Sequence, residues 1–201
     1  IETIMAEPIL ILYSTVDCHT LHICERIAHV IQGLGYETTI VSVDEAKDID
    51  LNTFSRIVIG ASIRYGHHRP EVAAFIASHQ AELQSRPSAF FCVNVVARKP
   101  NKNTPQTNPY ARKFLESIAW KPQLAAVFAG KLDYPRYGFI DRQMIRFIML
   151  LTQGPTDPNT VVEFTDWTKV ESFALGVCSL PMPQENHHEA SNSHWQNLSR
   201  A

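Results

Sequence analysis

Short apolar runs that alternate with amphipathic stretches constrain this chain more than any other feature. Pro8-Ile9-Leu10-Ile11-Leu12-Tyr13 is apolar throughout and leads into small polar residues, the pattern of a strand buried on both faces. From Thr20 to Gly33 the apolar positions Leu21, Ile23, Cys24, Ile27, Ala28 and Ile31 follow helical spacing, and Gly33 with Gly35 supplies a stop. The alternation then repeats. Thr38 to Val43 is rich in β-branched residues, Arg56-Ile57-Val58-Ile59-Gly60 is another buried strand, and Pro70 opens a helix striped by Val72, Phe75, Ile76 and Leu83. Ala89 to Val95 and Leu124 to Ala129 supply the fourth and fifth strands, and Asp166 caps a closing helix through about Val177. Strands joined through helices require crossover connections, so the expected class is α/β with a parallel sheet covered on both faces.

With 201 residues, 45% of them hydrophobic, the chain can bury one sizeable core, placed here over residues 8–180. Residues 1–7 read as an N-terminal extension in which Met5 marks a natural start, and residues 184–201 as a polar, disordered tail. A net charge of -2 gives no global sign of nucleic-acid binding. Cys18, Cys24, Cys92 and Cys178 have no zinc-ligand spacing and no secretory pattern before them, so a reducing cytosol is expected. Apolar runs such as Phe147 to Leu151 are far shorter than the ~20 residues of a spanning helix.

Ser14-Thr15-Val16-Asp17-Cys18-His19-Thr20 joins the first strand to the first helix, at the carboxyl edge of the sheet where α/β proteins bind ligands. Hydroxyls and free N–H groups at a helix start suit a phosphate. Neither G-x-x-x-x-G-K-[ST] nor G-x-G-x-x-G is present, which leaves a lone monophosphate such as that of FMN, or a turn that merely caps a helix. Gly60-Ala61-Ser62-Ile63-Arg64-Tyr65-Gly66 leaves the third strand at the same edge. It offers an aromatic ring to lie against isoalloxazine, though Tyr65 alone equally suits a core or interface position. Together the two loops favour a flavin.

Val58 to His67, Val93-Asn94-Val95-Val96-Ala97-Arg98-Lys99-Pro100, Thr104 to Phe114, Tyr134-Pro135-Arg136-Tyr137 and Phe164-Thr165-Asp166-Trp167 resemble the flavodoxin-like, quinone-dependent protoporphyrinogen dehydrogenases of bacterial haem synthesis, a likeness running from about Ile9 to Val177. The resemblance implies a flavodoxin-like sheet of five parallel strands in the order 2-1-3-4-5. It also implies FMN, oxidation of protoporphyrinogen IX to protoporphyrin IX, and transfer of electrons to menaquinone or ubiquinone at the cytoplasmic face of the bacterial inner membrane. By the same resemblance Ser14, Thr15, Val16, Asp17, Cys18, His19 and Thr20 hold the phosphate, while Ser62, Ile63, Arg64, Tyr65, Gly66 and Asn94, Val95, Val96, Ala97, Arg98 flank the ring. No catalytic base and no metal is implied. The family's phosphate loop carries glycine where this chain has Cys18, and a side chain there strains a positive-φ backbone by about 1 kcal/mol or more. An NAD(P)H:quinone oxidoreductase and a flavodoxin-type electron carrier share the fold and stand as alternatives. Oligomeric state stays open, a homo-oligomer included.

Two long connections depart from a plain doubly wound domain: Arg98 to Pro122, with a helix expected from Pro109 to Ala119, and the insert Leu132 to Gly154. Between Arg98 and Arg146 there are ten Lys or Arg against Glu116, Asp133 and Asp141. Such a surplus suits an anionic membrane surface or the propionates of a porphyrinogen, or is an ordinary solvated face. Asp141 to Leu151 is too apolar for a freely solvated helix, so either core packing or a membrane interface is expected, the latter preferred. His67 and His68 are weighed as proton acceptors beside the ring, with a solvated or capping role preferred. His19 and His22 lack a completing metal ligand, and Cys92 is read as core.

Overall fold

The computed structural model describes residues 8–183. The expected extension with Met5, and the tail with His187, His188 and His194, lie outside the described residues. The chain runs β1 (Ile9–Ser14), α1 (His19–Gly33), β2 (Thr38–Ser42), β3 (Arg56–Arg64), β4 (His67–His68), α2 (Pro70–Ser78), α3 (Gln80–Gln84), β5 (Ser88–Asn94), α4 (Pro109–Ser117), β6 (Leu124–Ala129), β7 (Lys131–Asp133), α5 (Phe139–Leu151), β8 (Val161–Glu163) and α6 (Trp167–Cys178). Five strands make one parallel sheet in the order β2-β1-β3-β5-β6, which is 2-1-3-4-5 counted over the parallel strands.

Period-two alternation sends each strand into two cores at once. Leu10 and Leu12 of β1 join Ile57, Ile59, Phe90 and Trp120 on one face of the sheet, while Ile9 and Ile11 join Ile23, Ile27, Ile31 and Phe173 on the other. Each such side chain contributes ~2 kcal/mol when fully buried. Burial on both faces is why the runs are unbroken rather than alternating. Helices α1 and α6 cover the second face; α2, α3 and α4 cover the first.

Three details differ from the sequence expectation. Strand β3 continues past Gly60 to Arg64, because Ala61 and Ser62 keep their pairing with β5, and only then turns at Tyr65 and Gly66 into β4. Both turn residues have positive φ, 51° and 83°, as a two-residue hairpin requires. Helix α4 ends at Ser117, since Ile118 is extended and Trp120 enters the core, where its Nε1 donates to Ser88 Oγ at 3.0 Å. An unexpected antiparallel ribbon, β7 with β8, brackets the insert, and its three-residue strands are too short to show a period.

Candidate functional site

Where β1 ends, its backbone turns through Thr15 to Cys18 before α1 starts at His19. Cys18 has φ 61° and ψ -7°, the left-handed conformation, and its side chain caps nothing. The expected strain is therefore present in the backbone. Ser14 Oγ and Thr20 Oγ1 are buried without a hydrogen-bond partner. Two orphaned hydroxyls beside the free N–H groups of a helix start are costly unless a ligand meets them. His19 is tied down: Thr165 Oγ1 spends its proton on Ala129 O at 2.8 Å, so His19 Nε2, 2.7 Å away, is the donor to it. Burial pushes the His19 imidazole below its usual range, which agrees with a neutral ring. Burial raises the Asp17 carboxyl, with Arg64 opposing.

The second wall is the β3–β4 turn. Arg64 lies over the Tyr65 ring, 5.1 Å from its centroid, and Tyr65 is half exposed. Both residues reach α5: Arg64 Nη2 is 2.6 Å from Asp141 Oδ2, and Tyr65 Oη donates to Asp141 Oδ1. A third piece follows β5, where Asn94 Oδ1 accepts from Ala97 N at 3.0 Å and from Asn108 Nδ2 at 3.1 Å. Asn108 in turn caps α4 through Tyr110 N and Ala111 N. This buried amide pair ties the end of β5 to the start of α4 and sets Tyr110 at the cleft.

Facing these polar loops is α5, whose Met144, Ile145 and Ile148 line the same cleft. Tyr137, at its foot, accepts from Asp133 N at 3.2 Å, and burial raises its phenol pKa. The insert is anchored by Tyr134 Oη donating to Pro155 O at 2.7 Å and by Arg146 Nε donating to Thr156 O at 2.8 Å.

Of the residues expected from sequence, Thr15, Val16, Asp17, His19, Thr20, Ser62, Ile63, Arg64, Tyr65, Gly66, Asn94, Val95 and Val96 line this one cleft. Cys18 faces an adjoining hollow with Lys131 and Arg136, and Ser14 lies beneath the loop. Ala97 is buried in the core, and Arg98 points away, its Nη2 donating to Thr152 O at 2.7 Å and its Nη1 to Val95 O. His67 and His68 do not line the cleft; His68 packs on Phe90 and Phe114. Lys131, Tyr110, Tyr137, Asp141, Met144, Ile145 and Ile148 join it without having been singled out for it, because their approach depends on how the two long connections fold back.

A flavodoxin-domain family model matches residues 10–159. Protoporphyrinogen IX dehydrogenase (quinone) of Escherichia coli strain K12 is 46% identical over 171 residues, 85% of this chain and 94% of that protein. The chain belongs to the flavodoxin-domain protoporphyrinogen IX dehydrogenase (quinone) family. The Leishmania major protein of the same name is 45% identical over 177 residues, 86% of this chain and 75% of that one. Oxidised flavodoxin 1 from Bacillus cereus is similar in outline, with TM-score 0.49 and 13% identity over 85% of this chain and 97% of that one. The flavodoxin domain is an FMN-binding domain, and the residues of this dehydrogenase-family chain fit the cofactor. Orphaned hydroxyls under the first loop, a helix start beside them and a cleft lined by an aromatic turn are what a phosphorylated flavin requires.

Proposed function

We propose that this chain binds FMN along the carboxyl edge of its sheet, oxidises protoporphyrinogen IX to protoporphyrin IX, and passes the electrons to a membrane quinone. One observation carries the reading: a single cleft has two polar loops on one side and the apolar Met144, Ile145 and Ile148 of α5 on the other. The former suit a flavin, and the latter a large, flat, largely apolar substrate. The names of the relatives at 46% and 45% identity support the same pair of substrates.

FMN supplies the redox chemistry, taking two electrons at a time from its donor and returning them to an acceptor. The chain supplies placement. Residues 14–20 hold the phosphate through the α1 N–H groups and the Ser14 and Thr20 hydroxyls. Ser62 to Gly66 and Asn94 to Val96 flank the ring. Arg98 acts from behind, fixing its loop to the end of α5 through Val95 O and Thr152 O. The α5 side chains exclude water, and Arg64 and Lys131 put positive charge at the mouth, where substrate carboxylates arrive.

The outer face of α5 supports a docking role at an anionic lipid surface, the cytoplasmic face of a bacterial inner membrane. Phe139, Ile140, Phe147, Leu150 and Leu151 are each more than half exposed, within or directly after the segment with the basic surplus. No helix among the described residues is long and apolar enough to cross a membrane. A second copy of the chain would cover the same face, and co-sedimentation with anionic vesicles, weakened by salt, separates the two occupants.

The deciding experiment is anaerobic. FMN-loaded protein bleaches on addition of protoporphyrinogen and recovers its colour with menaquinone. Bleaching by NAD(P)H instead moves the chain to the NAD(P)H:quinone reductases, and bleaching by neither leaves an electron carrier.

A further inference from the structure

Two donors at the lip of the cleft converge on one carboxylate. Arg64 Nη2 meets Asp141 Oδ2 at 2.6 Å and Tyr65 Oη meets Asp141 Oδ1, so both oxygens are engaged in the manner of a carboxylate-binding site. The side chains of Arg64 and Asp141 are 41% and 24% exposed. An ion pair this accessible contributes little, and exchanging its carboxylate for another costs little. Arg98, Arg142 and Arg146 are committed differently: they donate to main-chain carbonyls that hold the insert together, while Arg136 faces the adjoining hollow. Arg64 is the only arginine lining the cleft among the described residues, and its partner is a side chain on the first turn of the helix that closes the cleft.

We propose that Arg64, with Tyr65, is the carboxylate-recognising group of this cleft, and that a propionate of the porphyrinogen takes the place of Asp141. The assignment rests on the proposed substrate. Asp141 then holds the pair in a carboxylate-ready geometry before substrate arrives.

The test compares protoporphyrin IX with its dimethyl ester, which keeps the ring and loses both charges. Binding to FMN-loaded protein is read by porphyrin fluorescence, and KM is read with the two corresponding porphyrinogens. Arg64→Ala weakens the free acid about tenfold and the ester far less, so that discrimination between the two falls, with Arg64→Lys recovering part of it. Asp141→Asn removes the competing charge and tightens the free acid about threefold relative to the ester. Equal losses for acid and ester in Arg64→Ala would show that Arg64 only shapes the loop. Weaker binding of the acid by Asp141→Asn would overturn the exchange, and this arm decides if Arg64→Ala does not fold. Wild-type protein that binds and oxidises neither porphyrin removes the proposed function itself, an outcome distinct from loss of acid–ester discrimination.

Discussion

Among the described residues the parallel sheet and its helices bury apolar side chains in clusters of twenty-one and sixteen residues, whereas the insert rests on four, Leu132, Tyr134, Tyr137 and Met149. The cleft lies between these two constructions. Its loop side grows from strand ends inside the large clusters; its α5 side is held by a small cluster, a three-residue ribbon and hydrogen bonds to carbonyls. Opening free energies follow buried contacts, so the α5 side moves at a cost far below global unfolding. The loop side of the cleft is held firmly, and the α5 side is able to yield.

That contrast breaks most visibly with two deletions. Phe90→Ala, in the first sheet cluster, lowers global stability by about 4 kcal/mol in urea titration. Met149→Ala, equally buried, speeds amide exchange in α5 and the ribbon while β3 and β5 keep their protection. A matching loss of protection in both regions would join what is separated here.

Acid sharpens the comparison next. Burial against Phe90 and Phe114 holds the His68 imidazole down at about 4 against an ordinary 6.5, with its Nε2 lacking a partner. Because the folded pKa lies below the unfolded one, the stabilising contribution is full above about pH 6.5 and is lost as pH falls toward 4. About 2 kcal/mol disappears between roughly pH 7 and pH 5, and His68→Phe removes that part of the slope. An unchanged slope in the variant assigns the acid sensitivity elsewhere. The smallest expected effect is at the phosphate loop: Cys18→Gly relieves about 1 kcal/mol and tightens FMN about fivefold by flavin fluorescence. An unaltered affinity shows that the αL turn tolerates the thiol side chain.

What was legible in the sequence follows the same division. Ile9 to Leu12 and Ile57 to Ile59 announce themselves because strands buried on both faces need uninterrupted apolar residues. The loop residues 15–20 and 62–66 could be placed because strand order alone puts them on one edge. Arg98 looked like a ring neighbour, yet its guanidinium turns back to Thr152, a partner fifty-four positions away that no local pattern reveals. The apolar character of α5 was plain, but Met144, Ile145 and Ile148 face inward while Phe147, Leu150 and Leu151 face outward. That split depends on where the four-residue cluster pins the helix.

The unsatisfied hydroxyls of Ser14 and Thr20 carry a consequence outside catalysis. A ligand that meets them in the folded chain and ignores the unfolded one raises stability by mass action. Cellular proteases sample the unfolded fraction, so the lifetime of this polypeptide tracks the supply of riboflavin-derived nucleotide. Starved of that vitamin, a cell would hold less of the folded enzyme.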